Sequence, residues 1–133
     1  MESIDLVNQI TSLIFNKKGY DVRILDIRKL TSMADYFVIC SADSETQVKA
    51  IADEVEKNLK DNGIKIWHKE GYKALSWVLM DYVDVIVHVF KKEARSFYNL
   101  EKLWGDAFIT EIEDPLINPK TETKKNNFRL TEK

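Results

Sequence analysis

The chain has 133 residues, 44% of them hydrophobic and 32% charged, with a net charge of −2. That is one domain's length and an ordinary globular composition, which excludes a wholly disordered chain. A single cysteine, Cys40, excludes an internal disulfide, and with only His68 and His88 beside it no structural zinc, other metal or cofactor is expected.

Leu6, Val7, Ile10, Leu13 and Ile14 recur at helical spacing, with Ser3 as the expected N-cap and Gly19 as the residue that ends the helix. Tyr20–Arg28 reads as a strand, interrupted by Asp26. Tyr36–Ala42 holds the unbroken run Phe37-Val38-Ile39-Cys40, which suits a strand buried on both faces, with Cys40 as a small core residue. Ser44 and Gln47 match a capping box, and Val48, Ile51, Ala52, Val55 and Leu59 mark a helix that stops at Gly63. Ile64–Lys69 alternates as a strand. Trp77–Tyr82 and Asp84–Phe90 are two more strands, joined by a tight hairpin. Lys91–Asp106 reads as one or two short helices with Phe97, Leu100, Leu103 and Trp104 as apolar positions.

Beyond Pro115 the sequence turns polar. The predicted organisation is therefore one α/β domain over residues 1–114 and a polar tail over 115–133, expected to be disordered. The domain carries 15 Lys/Arg against 20 Asp/Glu, and the tail five against two. An acidic domain is a poor match for nucleic-acid phosphates and a better one for a basic protein. A charge of this size also serves simply to keep a domain soluble. No apolar run approaches the ~20 residues of a membrane span, and the N-terminus lacks a secretory layout, so a cytoplasmic protein is expected.

The element order predicts one mixed sheet of about five strands with helices mainly on one face. The β-α-β stretch from Tyr36 to Lys69 predicts a parallel pair. In the hairpin, pairing Asp81 with Asp84 sets Leu79 opposite Ile86 and Trp77 opposite His88. Val78, Met80, Val85, Val87 and Val89 then share one apolar face, and Trp77, Leu79, Asp81, Asp84, Ile86, His88 and Phe90 share the other. A deep core would have to neutralise those carboxylates at a cost of several kcal/mol each. A purely solvated face has no need of the aromatics. Two readings fit: a protein-binding surface with apolar anchors and a polar rim, or a face covered by the terminal helix that carries Leu103 and Trp104. Catalytic signals are weak. The four glycines are isolated, no Cys-x-x-Cys is present, and Asp81, Asp84 and His88 are more simply two turn residues and a structural histidine.

Four blocks carry a resemblance. They are Ala34-Asp35-Tyr36-Phe37-Val38-Ile39; Gln47-Val48-Lys49-Ala50-Ile51-Ala52-Asp53; Trp77-Val78-Leu79-Met80-Asp81-Tyr82 followed by Asp84-Val85-Ile86-Val87-His88-Val89-Phe90; and Arg95 through Ala107, containing Leu100-Glu101-Lys102-Leu103-Trp104. In this order they resemble the ribosomal silencing factor family (RsfS, also called Iojap), from the first helix to about Ala107. One departure is Val83, where the family often has glycine.

The resemblance implies a nucleotidyltransferase-like sheet without known transferase activity, and Asp26-Ile27-Arg28 indeed offers only one carboxylate where a metal pair would need two. It implies binding to the large ribosomal subunit through the universal large-subunit protein L-fourteen, a block on subunit joining and less translation under nutrient limitation. Organellar relatives assist large-subunit assembly, which leaves an assembly role without silencing as the alternative. The expected contact residues are Trp77, Leu79, Asp81, Tyr82, Asp84, Ile86, His88 and Phe90, extended by Glu70. The basic tail would add a secondary ribosomal RNA contact, and the free protein would self-associate through the same face.

Overall fold

The computed structural model describes residues 2–115. The chain runs α1 (Ser3–Asn16), β1 (Tyr20–Asp26), β2 (Tyr36–Ala42), α2 (Glu45–Asp61), β3 (His68–Glu70), β4 (Trp77–Asp81), β5 (Val85–Lys91), α3 (Lys92–Tyr98), α4 (Leu100–Leu103) and β6 (Phe108–Ile112). The six strands form one sheet in the order β3-β4-β5-β2-β1-β6. Only β2 and β5 pair in parallel; the other ladders are antiparallel. The predicted tail, apart from Pro115, lies outside the described residues.

Burial explains the centre. Every residue of β2 is buried, and β5 and β1 flank it with long apolar runs. One face of the sheet is closed by α1 and α2. Val7, Ile10, Ile14, Val48, Ile51, Val55 and Leu59 meet Val38, Cys40, Val78, Met80, Val85, Val87 and Val89 there, all without exposed surface. The opposite face carries a smaller cluster, Leu25, Ile27, Phe37, Ile39, Ile86, Phe90 and Leu100, under α3, α4 and the segment after them. Two long helices on one face and two short ones on the other keep the predicted architecture.

Several expectations are corrected. There are six strands, not five: β6 was missed because it is five residues long and its alternation is masked by Thr110 and Glu111. It pairs with β1 from Val22↔Ile112 to Asp26↔Phe108. The strand expected at Ile64–Lys69 is shortened and shifted to His68–Glu70, and Ile64 and Ile66 pack, partly buried, against the core beneath the helices. It runs in the same direction as β2 but is not its neighbour; β4 and β5 lie between them.

Helix ends differ in detail. The N-cap of α1 is Glu2, whose N–H donates to the Asp5 carboxylate at 3.1 Å, and Ser3 is already helical. The left-handed residue after α1 is Lys18, not Gly19. Gly19 is needed for space, since a Cβ there would lie 2.4 Å from the Ile14 side chain. Ser44 caps α2 by accepting from the Gln47 N–H at 3.1 Å. Gln47 then reaches back to the Asp43 N–H (2.7 Å) and donates to the carbonyls of Lys17 and Lys18, tying the start of α2 to the end of α1.

Candidate functional site

The β4–β5 hairpin builds the candidate face. The register is Trp77↔Phe90, Leu79↔His88 and Asp81↔Ile86, two residues away from the predicted pairing. Side chains repeat every two residues, so a two-residue shift changes partners but leaves each side chain on its predicted face. The turn is Val83-Asp84 rather than Tyr82-Val83. The Tyr82 N–H donates to the Val85 carbonyl, and the Asp84 N–H to the Tyr82 carbonyl, each at 2.9 Å. Asp81 braces the turn by accepting from the Val83 N–H at 2.8 Å. Val83 adopts φ 76°, a left-handed conformation that a β-branched residue takes at a cost and glycine takes freely.

Seven of the nine expected contact residues share this face, six of them on the hairpin, with unequal access. Trp77, Leu79 and Asp81 are half-buried, whereas Ile86, His88 and Phe90 are buried as its floor. Glu70 joins the face from β3, opposite Leu79, and His68 joins it opposite Asp81. These two exposed side chains meet at 2.7 Å. Asp84 is exposed in the turn. Tyr82 is the exception: it is buried in the cluster under the long helices, on the opposite side of the sheet.

The floor is aromatic. Trp77 stacks on Phe90 with ring centroids 4.9 Å apart and leans on Tyr98 at 4.7 Å. Phe97 meets Tyr98 edge-on at 5.1 Å, and Phe37 contacts both His88 (4.7 Å) and Trp104 (5.3 Å). The ridge ends in open side chains: Phe97 is 80% exposed, Leu103 74% and Tyr98 49%. A hollow of about 500 Å³ lies beside it, lined by Ser76, Lys91, Glu93, Ala94, Phe97 and Tyr98.

Phe97, Leu100, Leu103 and Trp104 are the apolar positions expected of Lys91–Asp106. The structure separates them. Asn99 takes a left-handed conformation (φ 51°), breaks the segment into α3 and α4, and resets the helical phase. Leu100 turns inward, Trp104 is half-buried, and Phe97 and Leu103 face outward. The covering reading is therefore true of the floor and not of the rim.

No residue of α3 is buried, and a polar clamp holds it. The Arg95 guanidinium donates to Glu101 at 2.6 and 3.1 Å, to the Ser41 hydroxyl at 2.9 Å, and to the Asp21 carbonyl. On the same face, the Trp77 indole N–H donates to Nδ1 of His88 at 3.1 Å. Burial pushes the His88 pKa down to about 3, so the imidazole is neutral. Elsewhere, burial pushes the Cys40 thiol up to about 12, which suits a core residue. Asp26 accepts three hydrogen bonds from Arg28, two from the guanidinium at 2.9 and 2.7 Å and one from the backbone N–H at 3.2 Å. Among the described residues no group of His, Cys, Asp or Glu is arranged to hold a metal ion, and no helix is long and apolar enough to cross a membrane.

The face combines an aromatic centre, an apolar rim and flanking carboxylates. A family model described as ribosomal silencing factor during starvation matches residues 1–133. The chain belongs to the ribosomal silencing factor family. The match extends past Ala107, where the four motif blocks end, to the last residue. A ribosomal silencing factor of Halalkalibacterium halodurans is 44% identical over 113 residues, covering 85% of this chain and 97% of that protein. One of Bacillus subtilis is 46% identical over 98 residues, 74% of this chain and 83% of that protein. A crystal structure of a Chromobacterium violaceum protein superposes with a TM-score of 0.77 at 38% identity, covering 79% of this chain and 88% of that one.

Proposed function

We propose that this chain represses translation by docking on the large ribosomal subunit and standing where the small subunit must join. Its contact there is the universal large-subunit protein L-fourteen. The observation that carries this reading is the aromatic ridge from Trp77 through Tyr98 to Phe97, left open on a sheet face that is otherwise packed. Open aromatics over a desolvated floor are what a protein partner uses as anchors. Asp81, Asp84 and Glu70 accept hydrogen bonds from Lys or Arg of a basic partner, and the acidic balance of residues 1–114 favours its approach. The mechanism is steric and needs no reacting group. A second copy on the same face would compete with the subunit.

The test is sedimentation of the protein with isolated large subunits, followed by addition of small subunits. Co-sedimentation and a loss of joined ribosomes are expected. Trp77→Ala is expected to weaken binding by more than about 2 kcal/mol, roughly 30-fold, while the variant stays folded. Binding without loss of joining would move the protein to an assembly role. Unchanged affinity of Trp77→Ala would remove this face from the contact.

A further inference from the structure

His88 is an uneconomical choice for the floor. It is 4% exposed, between Phe37 and Phe90. An indole N–H is a donor only, so Nδ1 of His88 is the acceptor in the 3.1 Å bond, and the proton of the neutral ring sits on Nε2. That Nε2–H is buried with no hydrogen-bond partner among the described residues. A buried donor without a partner destabilises a fold. Leucine would fill much of this space without that penalty but would leave the Trp77 indole N–H without its acceptor. What the imidazole adds is an acceptor aimed diagonally across the ladder, from the position opposite Leu79 to Trp77.

Stacking on Phe90 holds the plane of the Trp77 ring but not its sense. A half-turn about the ring's own bond would keep the plane and carry the N–H to the other side. Only one of these two arrangements meets Nδ1 of His88.

We propose that His88 is a positioning residue: it accepts the Trp77 N–H from below and fixes the indole in the one orientation that meets the partner. This rests on the reading of the Trp77 face as the docking face. Fixing a side chain before association removes part of the ordering cost of binding.

The role separates binding from stability. His88→Leu removes the acceptor together with the unpaired donor. His88→Asn keeps an acceptor near the place of Nδ1 but leaves a gap and an unpaired amide. With the full chain, thermal unfolding should rank Leu at or above wild type and Asn below it. Sedimentation with isolated large subunits should give the opposite order. His88→Leu is expected to bind about tenfold weaker and His88→Asn within about threefold of wild type. In a Trp77→Ala background, His88→Leu should cause no further loss.

Wild-type affinity of His88→Leu, with Trp77→Ala still weak, overturns the positioning role and leaves the docking face standing. So does a tenfold loss that persists without Trp77. Unchanged binding of Trp77→Ala removes the docking face itself, and the positioning role with it. Should His88→Leu fail to fold, His88→Asn decides: near-native binding despite a lowered melting temperature supports the role, and a tenfold loss overturns it.

Discussion

The sheet is closed twice, by different means. Under α1 and α2, apolar side chains with no exposed surface meet each other, and burial does the holding. Under α3 and α4 the apolar cluster is smaller, and the cover depends on the Arg95–Glu101 clamp, whose side chains are only 11% and 14% exposed. The first face can be sealed because its helices are long and amphipathic. The second is covered by two short helices broken at Asn99, and side chains are left over at its rim. A face closed by burial has nothing to offer a partner; a face closed by a clamp keeps aromatics outside.

The sharpest way to break this contrast is to cut into both faces. Ile51→Ala, under the long helices, should lower stability by about 3 kcal/mol, read from urea unfolding, while the folded fraction binds large subunits normally. A matching loss of affinity would mean that the two faces are not independent.

A fall in pH probes the second face at His88. The His88 pKa is about 3 when folded against an ordinary 6.5, so between those values the unfolded chain binds a proton that the folded chain does not. This contribution to stability is intact above about pH 6.5 and lost as pH falls towards 3, with a slope of about 1.4 kcal/mol per pH unit. The urea midpoint of His88→Leu should fall less steeply over that window than that of wild type. Parallel slopes would mean that His88 titrates freely.

At the rim, Phe97→Ala should change stability by less than about 0.5 kcal/mol but weaken subunit binding by about 1 kcal/mol. Equal melting and equal binding would leave Phe97 outside the contact. The smallest expected effect belongs to the turn between the strands. Val83→Gly should raise stability by up to about 1 kcal/mol, because strain relief there exceeds the entropy glycine loses on folding. A lowered urea midpoint would show that Val83, although 55% exposed, packs better than its backbone suggests.

Much of this was legible in the residues. The division of β4 and β5 into an apolar face and a mixed face survived a wrong register, because the error was two residues and parity was kept. The full burial of β2 followed from its unbroken apolar run. What stayed hidden was set at long range or by single backbone angles. Nothing local says that β2 pairs with β5 rather than with the strand after α2. Tyr82, next in sequence to Asp81, belongs to the other face. The outward turn of Phe97 and Leu103 depends on one left-handed asparagine, which apolar spacing does not reveal.

The strand order also sets a timetable. β1, near the beginning of the chain, pairs with β6, near the end of the described residues, and β2 waits for β5. Such distant pairings must overcome loop closure before they are rewarded, which slows folding. During synthesis, β2 and the inner sides of α1 and α2 emerge before the strand that completes the centre of the sheet. A newborn chain therefore has its most apolar segments made and its central ladder unfinished until Lys91 is free, the interval in which it most needs protection from aggregation.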